Sequence, residues 1–225
     1  MSADDLSILL LTLRVAACAT LFILPLGIGA GWALARGGGA WRAVAETALS
    51  LPLVLPPTAV GLLLLEALRR SGPLGRLLDR AGIEILFTWK AAAVATAVMS
   101  FPLLVRPART AFEEIDPRLL AMGRSLGSGP LRVFRRVALP LAWRGILAGT
   151  LLAFCRALGE FGATILVAGN IPGRTQTIAL AIFHRTQIGQ DAAAMHLVGV
   201  TVALAFATVL ASELLTRSRS RRTAA

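Results

Sequence analysis

Five long stretches of this chain are free, or nearly free, of charged side chains: residues 15–35, 47–65, 91–105, 145–170 and 192–212. A bilayer core of roughly 30 Å takes about 20 residues of helix to cross. Within a bilayer each backbone N–H and C=O must find its partner inside the protein, so such stretches fold as helices. A soluble core does not explain them. The chain is 56% hydrophobic and 16% charged, whereas a soluble domain typically carries about 25% charged residues. The expectation is an all-α integral membrane protein: one domain over 1–225, with about five transmembrane helices near 8–35, 44–67, 85–106, 143–169 and 192–215. The third stretch is short, but Lys90 and Arg106 can snorkel from its ends. The second holds Pro52, Pro56 and Pro57, so its helix should bend or break. Such breaks survive in a membrane where protein or a water-filled path satisfies the freed groups.

The first stretch is not read as a secretory signal. Asp4 and Asp5 precede it where a signal carries a basic cluster, and the run from Val15 to Ala35 exceeds a signal's apolar region. It should remain as a membrane helix.

Net charge is +11, which in a soluble protein would suggest nucleic acid. Here the arginines lie mostly between the apolar stretches, where they orient a membrane chain, so no nucleic-acid partner is expected. With the N-terminus outside, the inner segments hold Arg36, Arg42, the arginines from Arg106 to Arg144 and the tail from Arg217. The outer ones hold Arg69, Arg70, Arg76, Arg80, Arg174 and Arg185. The imbalance favours N-terminus out and C-terminus cytoplasmic. The tail, Arg217 to Ala225, is basic and holds no regulatory domain. Cys18, Cys155, His184 and His196 lack metal-ligand spacing, so no metal is expected. Gly27 and Gly31, and Gly145 and Gly149 with Ala153 after them, have the small-residue spacing that lets helices approach, within a bundle or in a dimer.

The segment from about 107 to 142 is amphipathic. Asp116 and Pro117 read as a helix cap and first helical residue. Leu119, Met122 and Leu126 then share one face, with Arg118 and Ser125 on others, until Gly127 and Gly129-Pro130 end the helix. A second piece sets Leu131 and Phe134 against Arg132, Arg135 and Arg136, and Pro140 closes it. The pattern suits a docking platform and equally an interfacial helix on lipid headgroups.

Gly127, nine residues, then Val137-Ala138-Leu139-Pro140 resembles the loop of ABC-importer permeases that reads E-A-A, three residues, Gly, nine residues, Ile, one residue, Leu-Pro. The front departs: Ala121-Met122-Gly123 replaces E-A-A, so the Glu of the family's motif is missing while the helix and the spacing are kept. The resemblance implies a coupling helix that fits a cleft in a separate ATPase. Asp116, Arg118, Ala121, Met122, Gly123, Arg124, Leu126, Gly127, Phe134, Leu139 and Pro140 are the implied coupling residues. The chain has one lysine, Lys90, and no G-x-x-x-x-G-K-[ST] before it. It is therefore read as no enzyme by itself, binding no cofactor, with ATP and Mg on the partner.

Further runs resemble the molybdate/sulfate branch of these permeases, and the molybdate members most closely. They are Leu51-Pro52-Leu53-Val54-Leu55-Pro56-Pro57, Phe87-Thr88-Trp89, Ala97 to Leu103, and Arg156 to Thr164 continuing into Gly169-Asn170-Ile171-Pro172-Gly173 and Thr175-Gln176-Thr177-Ile178. Pro56, Pro57, Arg156, Glu160, Thr164 and Asn170 are the path and gate candidates. Arg156 and Glu160, four apart, share one helix side and can pair; the pair either gates an oxyanion path or neutralises itself for packing. The resemblance implies a homodimer with two ABC ATPases and an external oxyanion-binding protein in a bacterial inner membrane, importing molybdate, with sulfate or tungstate as the alternative cargo. A stand-alone secondary transporter would often show internal repeats, and none is visible. A membrane scaffold or receptor subunit would not need the Gly127-to-Pro140 loop.

Overall fold

The computed structural model describes the backbone of residues 3–220 and the side chains of residues 4–210. The basic tail, Arg217 to Ala225, has its side chains outside the described residues. Eleven α-helices are present among them: α1 (Ala3–Arg36), α2 (Ala40–Val54), α3 (Pro57–Leu68), α4 (Gly75–Arg80), α5 (Trp89–Glu113), α6 (Pro117–Ser125), α7 (Pro130–Val133), α8 (Leu139–Leu158), α9 (Gly162–Ala168), α10 (Ile178–Gln187) and α11 (Asp191–Ser220). Four helical segments are long and apolar enough to cross a membrane: Asp4–Arg36, Trp89–Glu113, Pro130–Leu158 and Asp191–Leu210. The bent pair α2 and α3 makes a fifth.

The centre of the bundle is α5, packed along α1 on one side and α8 on the other. Its buried face mixes small residues, Ala91, Ala92, Ala95 and Ala108, with the large Met99, Leu104 and Phe112, all sealed from solvent. Lipid tails are as apolar as leucine, so helices here associate through close packing rather than through escape from water. Both glycine motifs serve that packing within the chain. A Cβ on Gly27 would lie 2.4 Å from Leu104 Cδ2, and one on Gly31 would lie 3.0 Å from the Arg109 nitrogen. From the other side, Gly145 abuts Ala111 and the Pro107 carbonyl, Gly149 abuts the Leu104 carbonyl, and Ala153 joins Ala97 and Leu104 in the same core.

Several boundaries differ from the sequence expectation. The second span is two helices, bent by 109° at Leu55-Pro56, because Pro56 and Pro57 cannot donate to the preceding turn. Helix α5 continues past Pro107 to Glu113, so the amphipathic segment starts later than 107. Pro140 closes nothing: it lies in the first turn of α8, where a missing N–H is tolerated. A π-helical turn, Phe134–Ala138, joins α7 to α8, with the Leu139 N–H reaching back to the Phe134 carbonyl. The fourth span breaks at Gly159 instead of running to 169, and the loop after it carries a further helix, α10. That helix is pinned to α1, since Thr12 Oγ1 accepts the Ile178 N–H at 2.9 Å.

Candidate functional site

Two groups of sequence-chosen residues occupy separate places. The first surrounds the helix breaks. Pro56 and Pro57 open α3, and Glu160 and Gly162 open α9. The breaks interlock: a Cβ on Gly162 would sit 2.6 Å from Pro57 Cβ, and one on Gly61 would sit 2.8 Å from Ala163 Cα. Both glycines are there because two backbones meet with no room for a side chain.

Glu160 is 3% exposed. Its Oε1 accepts the Ala163 N–H at 2.9 Å, capping α9. Its Oε2 lies 2.7 Å from Arg156 Nη2. That second contact is ionic without hydrogen-bond alignment, so Oε2 has no hydrogen-bond donor among the described residues. The pair forms although the helix that suggested it ends at Leu158. Arg156, with 29% of its side chain exposed, carries the charge outward while the carboxylate stays inside. Thr164 is buried, and its hydroxyl and the Asn170 Oδ1 likewise lack partners among the described residues. Beyond them the turn at Ile171 folds on itself: the Ile171 N–H donates to Thr175 Oγ1 at 2.9 Å, and Thr175, Gln176 and Thr177 are buried.

The second group is α6, α7 and the turn between them. Asp116 accepts the Arg118 N–H at 2.8 Å and caps α6. At the other end Gly127 takes φ of 75°. The Ser128 N–H reaches the Gly123 carbonyl and the Gly127 N–H reaches the Arg124 carbonyl. These two bonds make a Schellman cap, which needs the left-handed residue that glycine supplies without strain. Leu119, Ala121, Met122, Arg124 and Leu126 are exposed, and Leu120, between them, is buried on Phe112, Ile115 and Val133. The apolar stripe read from the sequence therefore points outward. Gly123 lets Val133 approach, with Val133 Cγ2 3.2 Å from where its Cβ would be. A groove of about 710 Å³ runs beside the stripe, walled by Gly127, Leu131, Arg132, Arg135 and Arg136. Leu139 is half-buried and Pro140 exposed. Phe134 is turned inward: its ring lies 5.2 Å from Trp32 and 6.0 Å from Phe112. It anchors the segment to α1 and α5.

Sequence reasoning missed a set of charges between these groups. Glu46 bridges Arg42 and Arg109, each at 2.7 Å. Glu113 bridges Arg109, at 3.0 Å, and Arg42. The four charges tie α2 to the end of α5, next to α6. Their signal was two i,i+4 pairs, Arg42/Glu46 and Arg109/Glu113. At the far end of the bundle Arg185 on α10 holds Asp5 of α1 at 2.7 Å.

Comparison with known proteins gives a consistent answer. The family model described as "Binding-protein-dependent transport system inner membrane component" matches residues 23–220. The chain is 48% identical over 215 residues, 94% of each chain, to the molybdenum transport system permease protein ModB of Escherichia coli (strain K12). To the sulfate transport system permease protein CysT of Salmonella typhimurium it is 36% identical over 176 residues, 78% of this chain and 64% of that one. Its fold matches a chain of the MetNI methionine ABC transporter in an inward-facing conformation, with a TM-score of 0.73 at 19% identity, covering 97% of this chain and 99% of that chain. With a family model spanning most of its length, the chain belongs to the binding-protein-dependent transport system inner membrane components.

Proposed function

We propose that this chain is the membrane-spanning subunit of an ATP-driven molybdate importer. One observation carries the cargo: the likeness to the molybdenum permease extends over 94% of both chains. The likeness to the sulfate permease is lower and covers less of each. Sulfate is the second reading, because both ions are tetrahedral dianions and that likeness still spans most of this chain; tungstate would travel with molybdate.

The outward apolar stripe of α6 and the groove beside it support docking of an ATPase at that end, with ATP and Mg held by the ATPase. The arginine distribution supports placing that end in the cytoplasm and the N-terminus outside the bacterial inner membrane. A second copy of the chain completes the path: α2 has no buried residue, and α3 leaves Leu62 and Leu63 exposed beside the bend. One bundle of this size encloses no route across a bilayer. An external oxyanion-binding protein would deliver the ion to the opposite end. In this arrangement the interlocked breaks at Pro56-Pro57 and Gly159–Gly162 are the gate, with Arg156, Glu160, Thr164 and Asn170 around them.

The test is cellular molybdenum in a strain lacking the chain, grown at scarce molybdate with and without excess sulfate. A deficit cured by re-expression and insensitive to sulfate is expected. Normal molybdenum with impaired sulfate uptake would overturn the cargo and leave the transport class standing.

A further inference from the structure

Between α2 and α5, near the end that carries α6, lies a cavity of about 660 Å³. Its polar wall is Glu46, Thr47, Ser50, Arg106, Arg109 and Thr110, and the rest of its lining is apolar. The charges on that wall do not cancel. Both oxygens of Glu46 are engaged by Arg42 and Arg109, and Glu113 closes the square, so two guanidinium groups meet two carboxylates. Arg106 stands outside the square. It donates to Ser50 Oγ at 2.9 Å, and among the described residues no carboxylate lies within ion-pair distance of it. The Ser50 hydroxyl hydrogen goes to the Glu46 carbonyl at 2.7 Å. Ser50 is thus an acceptor for one of the five guanidinium N–H groups, and the others remain for a ligand.

Arg106 is exposed at the inner end of the third span, and a guanidinium left without a counter-charge there is stable where it meets water or an anion. Here it faces the cavity. A second cavity, of about 800 Å³, touches Arg106 and Thr110 from the other side, but there Glu114 and Asp116 offset Arg106 and Arg144, so that lining has no net positive charge to draw a dianion.

We propose that Arg106 binds the permeating oxyanion on the inner part of the path, between the gate and release to the cytoplasm. This rests on the reading of the chain as an oxyanion permease. The site is weak by construction. At about 30 Å³ per water the cavity holds roughly twenty waters, so the ion enters partly hydrated. A single positive charge attracts a dianion without trapping it, and a conducting path needs binding loose enough for the ion to leave.

The experiment is ATP-driven uptake of labelled molybdate by the whole transporter in proteoliposomes, measured together with ATP hydrolysis. Arg106→Gln keeps a donor for Ser50 but removes the charge; molybdate delivered per ATP should fall at least tenfold. Arg106→Lys keeps the charge and should restore most of it. If Gln and Lys both transport as the parent does, or if both fail alike, Arg106 is a strut between α2 and α5 and the proposal is overturned. Thr110→Glu provides a second route should Arg106→Gln fail to assemble. It sets a carboxylate one turn from Arg106 on the same wall, and unchanged transport per ATP would also overturn the proposal. A lipid headgroup phosphate shares the oxyanion chemistry. Defects that persist in pure phosphatidylcholine vesicles assign the site to the permeating ion; defects that appear only with phosphatidylglycerol assign it to lipid and overturn the proposal. If the parent transporter moves sulfate and not molybdate, the cargo reading fails, and the same variants are compared with sulfate.

Discussion

Replacing Gly145 by alanine should drive α5 and α8 apart. The new Cβ would lie 2.4 Å from Ala111 Cβ and 2.9 Å from the Pro107 carbonyl oxygen. Carbon atoms pack best at about 3.5–4.0 Å, so the helices must separate locally by roughly 1 Å. Neither obstacle can rotate away, because one is a backbone carbonyl and the other a Cβ fixed to the backbone. Overpacking of this kind costs about 1–3 kcal/mol. Alanine recovers up to about 1 kcal/mol over glycine within a helix, leaving a net loss of about 0–2 kcal/mol. Gly29→Ala, in α1, is the comparison: its Cβ would meet nothing within 4 Å, so the propensity gain stands alone. The propensity gain is common to both, so the two variants should differ by the overpacking cost, about 1–3 kcal/mol. The assay is unfolding of the purified chain from mixed micelles by added SDS, followed by tryptophan fluorescence. Equal stability of the two, or a Gly145→Ala variant more stable than Gly29→Ala, would refute the close α5–α8 packing and the account of the second glycine motif.

Two further outcomes follow from the candidate site. Glu160→Gln keeps an oxygen for the Ala163 N–H but loses the ionic contact with Arg156, so the transporter should assemble while molybdate uptake falls; normal uptake by the assembled variant would show that the pair serves packing rather than gating. Leu126→Asp alters a side chain that is 83% exposed, so folding should change by no more than about 0.5 kcal/mol. Co-purification of the ATPase should nonetheless be lost, and an intact complex would remove the α6 stripe from the coupling surface.

What reads directly from sequence here acts over a few residues. The break at Pro56-Pro57 is visible because proline lacks the N–H its helix needs. The cap at Asp116 and the left-handed turn at Gly127 are visible because short side chains and glycine have local backbone consequences. The break at Gly159 is not visible in this way. The run from 145 to 170 holds no proline, and its helix stops where Glu160 caps α9 and Gly162 meets Pro57. The packing of Phe134 on Trp32 and Phe112 is not visible for a similar reason, since amphipathic spacing shows that a face exists but not which neighbour covers it. Helix α10 was read as loop, because ten residues are too few to suggest a span and its anchor, Thr12, lies far back in the chain.

By itself, then, the sequence determined a helical membrane bundle, its family, its caps and one of its two breaks. Each of these depends on apolar run length or on the chemistry of adjacent residues. Only the tertiary structure decided that both glycine motifs pack on α5, that the two breaks interlock, and that Glu46 and Glu113 neutralise Arg42 and Arg109 while Arg106 keeps its charge. Those outcomes are set by distances between side chains on different helices, where a shift of about 1 Å decides whether backbones can touch and whether two charges lie within ion-pair reach.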